Sequence, residues 1–196
     1  MKIKHIFVIN GRGSSGKDTL VKSNYWVDST GSWNLPENIS AIDPIKKIAK
    51  EYFGYEEDKK DLKTRKFLSD LKDLAIEYND LPFNYIYNLA KRFTSIGMRE
   101  IMFVHIREPE EIEKFKKAIL ELKKYSENTF PDSNDIRINT ILITGNDTDD
   151  KIYGNKADDN VESYEYDYKF ENNLPKEESQ KEFVKFITKI VYRVSG

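Results

Sequence analysis

The apolar positions of this chain follow two periods that alternate from one end to the other. Short, continuous apolar runs bounded by polar residues are typical of buried strands, whereas apolar positions three and four apart are typical of helices that pack through one face. The runs predict strands over 3–10, 39–42, 100–106 and 139–144, and the alternation of rings and charges over 164–170 predicts a fifth strand.

Helical spacing fills the segments between these strands and predicts helices over 17–25, 43–54, 58–79, 82–94, 108–125 and 175–193. Asp43 and Pro44 are predicted as the N-cap and first-turn proline of the second helix. The packing face of the third helix is predicted to carry Leu68, Leu71, Ala75 and Tyr78, and that of the fifth Ile112, Phe115, Ile119 and Leu122. Strands that alternate with helices predict one α/β domain over residues 1–196, a parallel sheet with helices on both faces.

The segment after the first predicted strand is rich in glycine and has a lysine at a fixed position. It consists of Gly11, Arg12, Gly13, Ser14, Ser15, Gly16, Lys17, Asp18 and Thr19, and it fits the P-loop (Walker A) spacing of two glycines followed by lysine. Between a strand and a helix, the backbone N–H groups of such a loop cradle phosphates, and the lysine reaches the β- and γ-phosphates of ATP. We therefore expect these nine residues to bind ATP.

The residue after Lys17 departs from the usual motif, in which a serine or threonine in that place ligates Mg²⁺. Here an aspartate takes the place and a threonine follows. Two arrangements stay open: Asp18 holds the Mg²⁺ directly or through water, or Thr19 takes over.

The composition and net charge of the chain limit the kinds of molecule that it is expected to bind. Charged residues make up 34% of the chain but leave a formal net charge of only -2, and there is no basic stripe with interleaved aromatic residues. This argues against a nucleic-acid or anionic-membrane partner. The absence of cysteine excludes disulfides and thiolate catalysis. No apolar run approaches transmembrane length, and we expect a cytoplasmic location; the sequence does not indicate an oligomeric state.

Further candidates follow the carboxyl ends of strands, where open α/β sheets bind their ligands. Asp43 either orients an acceptor or only caps its helix. Arg107 is expected to point at the site, where Glu111 either fixes it or adds to the acidic first turn of the next helix. Arg65 either clamps an acceptor phosphate or lies exposed on its helix. His105 is predicted to be a neutral core histidine, with metal ligation or base chemistry as the alternative.

The acidic segment over 145–171 is typical of a solvated loop. Within it, Asp158 and Asp159 could instead order a substrate or a metal-bound water.

Several of these segments, taken in order, resemble phage-type deoxynucleoside monophosphate kinases, and the correspondence covers nearly the whole chain. The matching segments are Ser15–Thr19, Ile39–Lys46, Arg65 before Leu68, Arg107 with Pro109 and Glu111, and Asp158 before Tyr166–Asn172. The resemblance implies a nucleoside monophosphate kinase fold. This is the three-layer α/β/α sandwich of P-loop NTPases, with a five-stranded parallel sheet in the order 2-3-1-4-5.

The resemblance also implies Mg²⁺-assisted transfer of the ATP γ-phosphate to a nucleoside or deoxynucleoside monophosphate. Lys17, Asp18, Arg65 and Arg107 are then the candidate catalytic residues. The acceptor would be bound by Asp43, Arg65, Arg107, Glu111 and Asp158, and by a helical insertion at about 56–96. Two other functions stay open: a kinase of this fold for a phosphorylated metabolite, and a nucleotide-binding protein without transferase activity.

Three features depart from the family pattern. The family usually has an aspartate where this chain has His105, and often a basic residue just after the fourth strand, where this chain has Thr144 and Gly145. No arginine lies between Arg137 and Arg193, where related kinases carry an arginine-bearing lid. Either Arg12, Arg65 or Arg107 supplies the lid charge, or phosphoryl transfer is slow or absent.

Overall fold

The computed structural model describes residues 3–26, 35–57, 61–95, 99–129, 135–145 and 161–192. The strands are β1 (Ile3–Asn10), β2 (Glu37–Ser40), β3 (Ile101–His105), β4 (Asp135–Gly145) and β5 (Tyr168–Asn172). The helices are α1 (Lys17–Val21), α2 (Asp43–Phe53), α3 (Leu62–Asn79), α4 (Leu81–Ser95), α5 (Pro109–Thr129) and α6 (Lys176–Val191), with a 3₁₀ turn at Val161–Ser163. None of the helices described is both long and apolar enough to cross a membrane.

All five strands form one parallel sheet in the order β2-β3-β1-β4-β5. This confirms the predicted α/β class and strand order. In the register of the central strand β1, Ile9 lies beside His105 of β3 and Ile141 of β4. The carboxyl ends of β1 and β3 therefore reach the same edge of the sheet.

The sheet separates two apolar cores, because successive side chains of β1 point to opposite faces. Ile6 and Val8 pack into the core beneath α4 and α5, and Phe7 and Ile9 pack into the core beneath α1 and α6. Burial on both faces explains why the central strands are continuous apolar runs in the sequence.

The predicted packing face of α5 is confirmed, whereas that of α3 is wrong in part. Ile112, Phe115 and Ile119 are fully buried beneath α5, as predicted. Tyr78, predicted to pack, is 86% exposed, and α3 has no fully buried residue. The prediction for Tyr78 is wrong because α3 lies beside α2 and α4 rather than on the sheet, so its apolar side is only partly covered.

Several predicted boundaries also change. α1 ends at Val21 rather than near 25, β2 covers Glu37–Ser40 rather than 39–42, and β4 begins at Asp135. β5 begins only at Tyr168, because the preceding pair is joined through side chains rather than backbone to backbone: Asp167 N donates to Thr140 Oγ1 at 2.9 Å, and Thr140 N donates to Asp167 Oδ2 at 2.7 Å.

The prediction of Asp43 as an N-cap is wrong as well. Asp43 is already the first residue of α2, and Ile42 precedes the helix without a capping side chain. The Asp43 carboxylate instead accepts a hydrogen bond from Ser40 N at 2.7 Å. It therefore fixes the turn between β2 and α2.

His5 links the stability of the fold to pH. The imidazole is 2% exposed in β1, and burial, aided by the charge of Arg137, lowers its pKa from 6.5 to about 4. Between these values the unfolded chain binds a proton that the folded chain does not, so the free energy of unfolding falls as the pH drops. The free energy of unfolding should fall between pH 7 and about pH 4.5 in the unaltered protein. We expect this fall to be about 2 kcal/mol smaller in a His5→Phe variant. Urea unfolding of both proteins at the two pH values tests this, and equal losses would contradict it.

Candidate functional site

The loop over residues 11–16 turns sharply at the carboxyl end of β1. Ser14 and Gly16 have left-handed backbone angles, with φ of 68° and 77°, and Ser15 N donates to Arg12 O at 3.2 Å. A serine in this region is strained by about 1–2 kcal/mol, and such strain gathers at ligand-binding sites. Backbone of alternating hand forms a concave surface of N–H groups that suits anions.

Lys17 folds back onto the start of this loop. Its side chain is 8% exposed, and Nζ donates to Gly11 O at 3.1 Å and to Arg12 O at 3.5 Å. Ser15 Oγ is buried beside the loop without a hydrogen-bond partner in the described part of the chain. A phosphate ligand needs positive charge and hydrogen-bond donors around a concave turn. The buried ammonium group of Lys17 and the unsatisfied hydroxyl of Ser15 provide both.

The two flanking glycines let the loop press against the ends of β4 and β5. A Cβ at Gly11 would lie 2.5 Å from Ile143 O, and a Cβ at Gly16 would lie 2.3 Å from Asn172 Nδ2. Asn172 Nδ2 in turn donates to Ser15 O at 2.8 Å. Any side chain at either glycine would therefore push the loop away from the sheet.

Asn10 joins three segments at the end of β1, a role that the sequence did not predict for it. Its Oδ1 accepts from Gly11 N at 2.8 Å, and its Nδ2 donates to Arg107 O and to Tyr166 Oη, both at 2.8 Å. Burial raises the pKa of Tyr166 to about 12, so its hydroxyl stays protonated and donates to Val161 O. The signal was a fully buried amide at the end of an apolar run, immediately before the glycine loop.

An Asn10→Asp variant tests this junction. The carboxylate still accepts from Gly11 N, but it faces Arg107 O without a hydrogen to donate. We expect a loss of about 2 kcal/mol in the free energy of unfolding, because two buried acceptors then oppose each other. Denaturant unfolding measures it, with Asn88→Asp on the exposed side of α4 as control. Equal stabilities of the two variants would contradict the role of Asn10.

Asp18 and His105 face each other beside the loop. Asp18 Oδ1 lies 3.8 Å from His105 Nδ1, with the aspartate 70% and the histidine 7% exposed. Burial lowers the pKa of His105 to about 4, against the opposing effect of the Asp18 carboxylate. His105 is therefore neutral at pH 7 and buried, as the sequence predicted. Thr19, also exposed, uses its carbonyl to accept from Gln180 Nε2.

The charged candidates from β2 and β3 lie around the same point. The charges of Arg107 and Lys17 both act on His105, and the charge of Asp18 acts on Asp43. Burial raises the pKa of Asp43, although the hydrogen bond from Ser40 N opposes the shift. Lys17, Asp18, Asp43 and Arg107 thus share one edge of the sheet.

The other sequence candidates lie further from this centre. Glu111 is in the acidic first turn of α5, where its carboxylate lies 3.5 Å from Lys114 Nζ. Arg65 is exposed in the first part of α3, and Arg12 pairs with Glu162 at 3.3 Å. Asp158 and Asp159 fall outside the described residues.

A crevice that sequence reasoning did not anticipate opens among the turn after β2, the end of β3, and helices α3, α4 and α5. Its apolar wall consists of Ala41, Ile76, Pro82, Phe83, Ile86 and Ile106. Lys72 and Glu108 form a salt bridge on its polar side, next to Glu111. Its volume is about 10 Å³, which is roughly the room that one water molecule needs and far below that of a small-molecule site.

Comparison with known proteins gives no relative to set beside this geometry, since no family model matches the chain and no curated protein matches it.

Proposed function

We propose that this chain is a P-loop kinase that transfers the γ-phosphate of ATP to a nucleoside or deoxynucleoside monophosphate. The observation that carries the proposal is the buried Lys17 ammonium group held on the carbonyls of Gly11 and Arg12, inside a glycine loop at the end of the central parallel strand. The strand order and the loop's place at the sheet edge agree with the P-loop NTPase fold, to which we assign the chain.

The phosphate-binding half of the reaction is supported by three features of the loop. The loop backbone is concave, and Lys17 lies against the turn. Ser15 Oγ has no hydrogen-bond partner among the described residues. ATP fits these donors, since its phosphates accept from amide, hydroxyl and ammonium groups alike. Lys17 would neutralise charge that grows on the β- and γ-phosphates as the bond between them breaks.

Mg²⁺ is the metal expected with the nucleotide, and it would screen the phosphate charge during transfer. The exposed carboxylate of Asp18 lies beside His105 at the carboxyl end of β3. The hydrogen bond from α6 reaches the backbone carbonyl of Thr19 and not its hydroxyl. Asp18 and Thr19 therefore both offer a side-chain oxygen to the metal.

The acceptor half is supported by the groups on the β2 and β3 side of the loop. Asp43 and Arg107 bring one carboxylate and one guanidinium to that side. An acceptor with an anionic end and a hydroxyl or amine that donates to a carboxylate matches this pair of groups. Arg107 would hold the acceptor phosphate, and Asp43 would orient its sugar or base.

Product analysis with radiolabelled ATP and Mg²⁺ across nucleoside monophosphates, deoxynucleoside monophosphates and phosphorylated metabolites tests the proposal. We expect label to move to at least one monophosphate. Transfer only to a metabolite would instead identify the second type of kinase, and ATP binding with no transfer to any acceptor would identify a nucleotide-binding protein.

A variant of Asp43 tests whether this carboxylate belongs to the acceptor site. Asp43→Asn keeps the oxygen that accepts from Ser40 N but removes the charge, so we expect the acceptor KM to rise about 10-fold or more, with the ATP KM unchanged. Asp73→Asn, on the exposed side of α3, is the matched control. An unchanged acceptor KM in Asp43→Asn would remove Asp43 from the acceptor site.

A further inference from the structure

One nitrogen of His105 has an unused lone pair. Its Nε2 lies 2.8 Å from Asn38 Oδ1, and we assign the tautomer in which Nε2 donates to this acceptor and Nδ1 carries the lone pair. Nδ1 is buried and has no hydrogen-bond partner among the described residues, and the whole residue is 7% exposed. A buried acceptor left unsatisfied costs about 1–3 kcal/mol, which indicates that something else occupies this position in the working protein.

The group that faces this lone pair is a second acceptor. Asp18 Oδ1 lies 3.8 Å from Nδ1, too far for a hydrogen bond and close for two atoms that both present electron pairs. A divalent ion binds nitrogen and oxygen ligands at about 2.0–2.2 Å, so a single ion between the two atoms contacts both. The arrangement of an imidazole nitrogen and a carboxylate oxygen is therefore that of a ligand pair.

The charges around this pair decide when an ion binds. The positive charges of Lys17, Lys22 and Arg107 act on His105 and oppose a further cation, whereas the negative charge of Asp18 favours one. Asp43 is a second carboxylate that interacts with Asp18. The phosphates of a nucleotide in the neighbouring loop add more negative charge and oxygen ligands of their own.

We infer that His105 Nδ1 and Asp18 Oδ1 jointly ligate a divalent cation of the nitrogen-binding kind, such as Zn²⁺ or Co²⁺, when a nucleotide occupies the glycine loop. The inference rests on the proposed ATP site and adds to it a cation site distinct from the Mg²⁺ expected with the nucleotide. Imidazole suits Zn²⁺ and Co²⁺, whereas Mg²⁺ favours oxygen and water. Asn38 is the positioning residue, because its hydrogen bond to Nε2 fixes the tautomer that leaves Nδ1 ready to bind.

Nitrogen NMR of protein labelled in histidine provides a readout that is independent of turnover. The chain has two histidines, and His5 lies about 13 Å from His105, four residues along the paired strands, so it is an internal control in the same spectrum. We expect the Nδ1 signal of His105 to move when Zn²⁺ is added with a non-hydrolysable ATP analogue. It should stay in place with Zn²⁺ alone or with Mg²⁺ and the analogue, and His5 should not respond.

Matched variants separate ligation from a general effect of the nucleotide. Asp18→Asn should weaken Zn²⁺ binding by about 10-fold or more in the same titration, whereas Asp73→Asn should leave it unchanged. A His105 protonated at Nδ1, or a Zn²⁺–nucleotide complex that leaves its signal in place, overturns the inference. Calorimetry of the analogue with Mg²⁺ runs in parallel: binding there with no His105 response defeats the metal assignment alone, and no binding with either metal defeats the nucleotide site.

Discussion

Replacement of Lys17 by alanine is expected to lower the rate of phosphoryl transfer on the order of 10³-fold, because one positioned cation at a transferring phosphate stabilises the transition state by about that factor. Lys17 is the buried ammonium group of the loop, and its Nζ donates to the backbone carbonyls of Gly11 and Arg12. Rapid-quench measurement of ADP formation with saturating acceptor gives the loss directly. Lys17→Met repeats the test with the volume of the side chain kept.

Lys50→Met is the matched control for this prediction, since Lys50 is exposed on α2. Its turnover should equal that of the unaltered protein. Thermal unfolding establishes that each variant is folded before its rate is compared. A folded Lys17→Met protein with full activity would remove the lysine from the mechanism and the loop from the site.

Replacement of Gly16 by alanine is expected to weaken ATP binding on the order of 10²-fold. The residue has φ of 77°, and the new methyl group would stand 2.3 Å from Asn172 Nδ2. The left-handed backbone costs alanine about 1–2 kcal/mol, and displacement of Asn172 costs its hydrogen bond to Ser15 O, about 1 kcal/mol more. The free loop relaxes away from this geometry, so ATP must restore it on binding, and the sum of about 3 kcal/mol is lost from the affinity.

Gly54→Ala separates backbone strain from the contact with Asn172. Gly54 ends α2 with φ of 65°, but no atom lies within 4 Å of the position its Cβ would take. We expect this variant to lose about 1 kcal/mol of stability and no ATP affinity. Calorimetric titration of both variants with ATP and Mg²⁺ compares them. Equal affinities for Gly16→Ala and Gly54→Ala would show that the loop does not depend on its fit against β5.

The strands were predictable where both faces of a strand are buried, because such a strand forms a continuous apolar run. β1 and β3 are buried on both faces, so their apolar runs stand out, and the order of strands agrees with the expectation. The segment before β5 was not predictable in the same way. Tyr164 and Tyr166 alternate with charges as a strand would, yet Asp167 pairs with Thr140 through side-chain hydrogen bonds, and the backbone ladder starts only at Tyr168.

The candidate site likewise has a part that the sequence predicts and a part that it does not. The loop over 11–19 is a local motif, and the sequence predicts it whole. The contacts that hold it are not local: Asn10 reaches Tyr166, and Asn172 reaches Ser15, each from the far end of the chain. No spacing rule connects such pairs, because only the strand order brings β5 and the end of β1 to one edge. Asp43 shows the intermediate case, since its position after β2 was predicted and its hydrogen-bond partner was not.

The central claim is that the loop binds the triphosphate of ATP with Lys17 as its cation. Isothermal titration of the folded protein with ATP and Mg²⁺, beside the Lys17→Met variant, tests it most directly. The account predicts saturable heat for one nucleotide per chain in the unaltered protein and its loss in the variant. No heat from the folded protein, or the same heat from both proteins, would contradict it.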